Sequence, residues 1–285
     1  MKWTDDRSDN VDDRRGTGGG GGGAIVGGGL GTLIIAAIIF FLGGDPSSLL
    51  SSGGGSSAPT EQRQLNANEL KIKEFVSMIT AENEQTWTKI FAENGMRYQP
   101  AVVVLFEDAT QSGCGPAQAA MGPFYCPADQ KVYMDMSFFK DLQERFGAKV
   151  TEFSIAYVMA HEMGHHVQTL LGTTQKVDAL RRSGRYSEAD MNKVSVATEL
   201  QADFYAGVWS RQTDSREKFL EPGDIESAIE AAEAVGDDNI QKKSQGYVNQ
   251  ESFTHGSSAQ RKEWFMKGYN TGDIKQGDTF NQLLK

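Results

Sequence analysis

Residues 151–172 read TEFSIAYVMAHEMGHHVQTLLG, and the five letters His161-Glu162-Met163-Gly164-His165 decide how the rest is read. Thr151 can cap a helix, Ile155, Val158, Met159 and Val167 supply apolar positions, and Gly172 can stop it. On a helix, positions i and i+4 lie about 40° apart around the axis, so His161 and His165 project side by side. Two neutral imidazoles so placed can grip one Zn2+ ion. Glu162 lies about 100° further round, where it can serve a water at the metal as general base. With four histidines and 19 glutamates in 285 residues, chance gives about 0.004 HExxH matches, so coincidence is a poor explanation. The competing reading is two surface histidines on an amphipathic helix. Ala160, Met163 and Gly164 make the stretch apolar and close-packed, and burying imidazoles there without a partner is costly.

A catalytic zinc needs a third protein ligand and keeps its fourth position for water. Thr198-Glu199-Leu200-Gln201-Ala202-Asp203 offers it, 34 residues beyond His165 with a turn at Ser183-Gly184 between. Glu199 and Asp203 are again i and i+4. The favoured division is Glu199 as ligand and Asp203 as acceptor for the second N–H of a ligating imidazole; the exchanged assignment uses the same helix face. His166 points elsewhere and reads as a packing or hydrogen-bonding residue. His255, or Arg261 six residues on, is the candidate donor to the oxyanion that develops at an attacked carbonyl.

Around this motif the chain divides by composition. Residues 17–44 carry no charge, and Ala24 to Leu42 is a run of 19 residues, just enough to cross a hydrocarbon core as a helix. A cleaved signal peptide or a buried core helix is the alternative, but no small-x-small cleavage site follows Phe41-Leu42. Lys2, Arg7, Arg14 and Arg15 precede the run, and no Lys or Arg follows until Arg63. The positive-inside rule then predicts a cytoplasmic tail over 1–16, a glycine-rich segment and single inner-membrane span over 17–44, a flexible Ser/Gly linker over 45–64, and an extracytoplasmic (periplasmic) domain over 65–285. Within that domain, a helix capped near Asn68, an Ala101–Phe106 strand, a hairpin of Phe124–Cys126 with Val132–Met136, and helices over 151–171, 187–212, 224–235 and 257–269 make an α+β domain. Cys114 and Cys126 predict a disulfide in an exported domain, with two buried thiols as the alternative. A net charge of −10 and the lack of a basic stripe argue against nucleic acid as a partner.

The stretches SDNVDDRRG, MGPFYCPADQKVYMD, AHEMGHHVQ, ELQADFYAGVW and SFTHGSSAQRKEWF together resemble a bacterial family of neutral zinc metallopeptidases, in order and over almost the whole chain. More distantly, HExxH with a downstream ExxxD is similar to the gluzincin peptidases of the membrane-bound heat-shock type. The resemblance implies a zincin-like domain holding one zinc ion, with His161, His165 and Glu199 as ligands and Glu162 as base. It implies Asp203 as support and His255 as oxyanion donor. It implies a polypeptide substrate laid along a sheet edge, for which Val132, Tyr133 and Met134 are the expected strand. Some relatives carry a second cysteine pair where this chain has Phe204 and Gly277. The rival function is a zinc-stabilised envelope binding module without catalysis.

Overall fold

The computed structural model describes residues 1–16, 63–144, 147 and 149–284. In chain order the elements are β1 (Val11–Asp13), α1 (Ala67–Glu93), β2 (Val102–Phe106), β3 (Ala109–Ser112), β4 (Gly115–Gln118), β5 (Phe124–Cys126), β6 (Lys131–Asp135) and α2 (Ser137–Glu144). Then come α3 (Glu152–Leu170), α4 (Thr173–Ser183), α5 (Glu188–Glu217), α6 (Asp224–Ala234), α7 (Asp237–Gln245), α8 (Ser258–Thr271) and α9 (Thr279–Leu283). The expected α+β class holds: a small sheet ordered β1-β2-β6-β5 packs with helices, and β3-β4 form a separate hairpin.

Local chemistry explains the helix starts. Asn66, rather than Asn68, caps α1 in a capping box with Glu69, which satisfies backbone donors that would otherwise lack partners. Thr151 caps α3, Ser187 caps α5 and Ser257 caps α8. Gly172 and Gly184, with φ of 79° and 63°, take the left-handed conformation that lets α3 turn into α4 and α4 end. The buried faces of α1, α3 and α5 meet through Trp87, Phe153 and Trp209, each essentially inaccessible to solvent.

The helices approach closely where side chains are missing. A Cβ on Gly207 of α5 would lie 2.0 Å from the Phe265 carbonyl oxygen of α8. One on Gly268 of α8 would lie 2.0 Å from the Phe204 carbonyl oxygen of α5. Phe204 and Gly277 are also neighbours, since a Cβ at 277 would fall 2.6 Å from the Phe204 ring. The two positions expected from the resemblance for a second cysteine pair thus face each other, and here an aromatic ring lies over a glycine. The Cys114–Cys126 disulfide is formed and joins the tip of the β3-β4 hairpin to β5.

Two expectations are corrected. Residues 1–16 are not a tail separated from the domain. β1 pairs parallel with β2, with Val11 opposite Val103 and Asp13 opposite Leu105. Before it, the Ser8 amide meets the Ser77 hydroxyl at 3.0 Å; after it, the buried Arg15 pairs with Asp13 at 2.7 Å and donates to the Glu69 carbonyl of α1. The Arg63 amide donates to the Gly16 carbonyl at 3.0 Å, so the chain leaves and rejoins the described structure at one place. This is incompatible with residues 1–16 and the domain lying on opposite faces of a bilayer. Among the described residues no helix is long and apolar enough to cross a membrane, and the span expected at 24–42 and most of the linker lie outside them. The assignment as a single-pass inner-membrane protein is therefore withdrawn. Second, Val132, Tyr133 and Met134 are not an edge: β6 is bonded to β2 on one side and β5 on the other, and all three are buried. Among the described residues the outer strands of this sheet are β1 and β5.

The glycine contact between α5 and α8 makes a strong demand. Gly268→Ala is expected to lower stability by more than about 3 kcal/mol in urea titration, because backbone cannot yield as a side chain does. A wild-type midpoint would contradict the crossing described.

Candidate metal centre

The motif helix α3 reaches α5 through Gly164, whose absent Cβ would sit 2.9 Å from the Ala202 carbonyl oxygen and 3.0 Å from its Cα. That contact brings HExxH against Glu199 and Asp203. His161 Nε2 lies 3.2 Å from one Glu199 carboxylate oxygen and His165 Nε2 lies 3.6 Å from the other. The ligand atoms of His161, His165 and Glu199 all fall within 4.8 Å of one another. A tetrahedral ion with bonds of about 2.0–2.1 Å holds its donors roughly 3.3 Å apart, so this set fits zinc. Two imidazoles and a carboxylate are also its usual donors.

The outer nitrogens are committed. His161 Nδ1 lies 2.8 Å from Asp203 Oδ1, so Asp203 supports a histidine while Glu199 faces both ligand nitrogens. His165 Nδ1 lies 2.9 Å from Gln168 Oε1, and Gln168 is held in turn by donating to the Thr198 carbonyl at 2.7 Å. Such contacts fix the ring orientation and tautomer of a ligand. Asp203 also accepts from the Tyr157 hydroxyl and from Arg261, whose Nε and Nη2 reach its two oxygens at 2.8 and 2.9 Å. Arg261, one of two candidate oxyanion donors, is thereby occupied as the partner of a buried carboxylate.

Charge follows geometry. Burial alone would pull the His161 pKa down, but the Asp203 charge and hydrogen bond outweigh it and hold the pKa at about 10. His165 is raised in the same way by Glu199, against burial. Burial pushes Asp203 up, yet Arg261 and His161 hold it at about 2. Glu199 likewise stays well below the ordinary range, held there against burial by His165 and His161. Glu162 goes the other way: burial raises its pKa, opposed by His165 and His161 and by the backbone amide of Tyr125 on β5.

His255 is half-buried, with Nδ1 3.0 Å from Thr254 Oγ1 and 3.3 Å from Asp237 Oδ1. Next to it, Gly256 packs against Val196 and Leu200 on either side of Glu199, so the loop bearing it borders the metal centre. His166 stands apart, with Nε2 2.6 Å from the Gln99 carbonyl and Nδ1 3.1 Å from the Tyr125 hydroxyl. The supporting parts played by Gln168, Tyr157 and Asp237 went unread in the sequence. Gln168 alone gives a local signal, as the i+3 neighbour of His165 on one helix.

In comparisons with known proteins, the family described as "Putative neutral zinc metallopeptidase" matches residues 1–280. The uncharacterized protein YpfJ of Escherichia coli is 45% identical over 222 residues, covering 78% of this chain and 76% of its own length. The uncharacterized protein Mb2605 of Mycobacterium bovis and Rv2575 of Mycobacterium tuberculosis are each 46% identical over 186 residues, covering 62% of this chain and 61% of theirs. No solved structure matches the chain.

Raised histidine pKa values mean that protons compete with metal for the same nitrogens. Zinc uptake by the metal-free protein is expected to release protons, and affinity to tighten by about tenfold per pH unit for each proton displaced. Chelator competition across pH, with calorimetry in two buffers of different protonation enthalpy, measures this. A pH-independent affinity near neutrality would exclude His161 and His165 as ligands.

Proposed function

The chain belongs to that zinc metallopeptidase family, and from this premise we propose that it is a zinc-dependent endopeptidase of zincin-like architecture, hydrolysing polypeptides. One observation carries the reading: His161, His165 and Glu199 converge within 4.8 Å, and Glu162 is buried on the helix that bears the two histidines. His161, His165 and Glu199 would hold the ion, with Asp203 and Gln168 orienting the two imidazoles. When bound, zinc supplies Lewis acidity that polarises the scissile carbonyl and acidifies water.

The remaining work falls to side chains of this chain. Glu162, whose pKa burial has raised, takes the proton of the attacking water and passes it to the leaving amine. His255 donates to the carbonyl oxygen as negative charge builds there. Substrate lies extended along the outer edge of β5, in place of the β6 edge expected from sequence. The Tyr125 amide faces Glu162, so an added strand would bring its backbone past the base. A purely structural zinc closes its four positions with protein ligands. Among the described residues only three such donors gather here, which favours catalysis over a zinc-stabilised binding module.

Glu162→Gln is isosteric and leaves the three ligands untouched. It is expected to retain zinc at the wild-type ratio while slowing hydrolysis of an unfolded protein substrate by at least about 10²-fold. Wild-type cleavage should stop with a chelator and return with zinc. Undiminished turnover in the zinc-loaded variant would sink the mechanism.

A further inference from the structure

The loop between α7 and α8 carries His255, and a single carboxylate sets its shape. Asp237 opens α7 and is 1% exposed. Its Oδ2 accepts three successive backbone N–H groups, from Thr254 at 2.7 Å, His255 at 2.6 Å and Gly256 at 2.9 Å. Its own amide donates to the Gly256 carbonyl at 2.9 Å. The loop is seated on α5 at Gly256, whose φ is 91° and whose absent Cβ would meet Leu200 and Val196 at 3.2 and 3.3 Å. Those residues flank Glu199 on its helix. A carboxylate doing no more than bracing a loop would satisfy the three amides and stop. Asp237 also turns its second oxygen, Oδ1, to His255 Nδ1 at 3.3 Å, and Thr254 Oγ1 joins the same nitrogen. Both side-chain partners of the ring thus take Nδ1 rather than Nε2.

We infer that Asp237 is a positioning residue for the reaction: it holds the His255 backbone in place and, through Nδ1, dictates which ring nitrogen faces the substrate carbonyl and in what protonation form. This rests on the reading of the chain as a peptidase with His255 at the carbonyl oxygen. A carboxylate at Nδ1 requires a proton on that nitrogen, so the ring can offer an Nε2–H only as the imidazolium. That cation is the stronger donor to a developing oxyanion. Without the carboxylate the ring is free to be neutral with its one proton on Nε2, a weaker donor.

Asp237→Asn separates the two duties. The amide oxygen still accepts the three backbone N–H groups, while its NH2 replaces the acceptor opposite Nδ1. Zinc content and melting temperature are expected to stay close to wild type. kcat should fall about tenfold or more with KM little changed, since the lost interaction is made only in the transition state. In a His255→Ala background, itself about 10²-fold down, the same Asn substitution should cost nothing further. Nitrogen-15 imidazole spectra of the zinc-loaded protein should show protons on both ring nitrogens of His255 in wild type and on Nε2 alone in Asp237→Asn. Equal losses in both backgrounds, or a wild-type Nδ1 without a proton, would overturn the inference. Should the wild-type protein cleave no polypeptide, the peptidase reading fails, and the spectra still decide the role of Asp237. The wild-type spectrum also decides it if the variant does not fold.

Discussion

The molecule depends on how closely two helices can approach. Glu199 can reach both ligand nitrogens of the motif helix only because Gly164 offers no side chain where Ala202 of α5 comes within 3.0 Å. α5 is itself seated by a glycine contact on its far side, with Gly207 and Gly268 crossing against α8. Three helices stack with almost no separation, and each interface delivers a part: α3 the histidines and base, α5 the carboxylates, α8 the arginine that neutralises Asp203. Cores at protein density transmit such constraints, because displaced helices have no loose volume to move into.

The second constraint is electrostatic. Glu199, Asp203, Arg261 and His161 are all buried, and isolated charges there would be prohibitively costly. They persist because each is paired: Arg261 with both oxygens of Asp203, Asp203 with His161, and Glu199 with both histidines. A buried ion network of this kind is weak evidence for stability on its own, since hydrophobic replacement is often at least as stable. Its presence beside three convergent donors fits a site organised for a cation.

Much of this was legible in the sequence, and the misses share a cause. Thr151 announced its helix because capping is local, and HExxH declared its geometry because i and i+4 share a face. The strand β1 was hidden in Val11-Asp12-Asp13, whose charge masks pairing that arises only against β2. Hydropathy over 24–42 carried no information about where the flanking residues bind. The edge was misplaced because sheet order is non-local, although the unbroken apolar run Val132-Tyr133-Met134 is the pattern of a strand covered on both faces. Asp237 gave no signal, since it acts on amides 17 to 19 residues away.

Everything here turns on Glu199 completing a metal centre with the two histidines of α3. X-ray absorption at the zinc edge of the metal-loaded protein tests it most directly. The account predicts one zinc per chain, surrounded by two imidazole nitrogens and oxygen ligands at about 2.0–2.2 Å, with the carboxylate contribution lost in Glu199→Ala. Failure to bind zinc in stoichiometric amount, or a coordination sphere unchanged by that substitution, would contradict it.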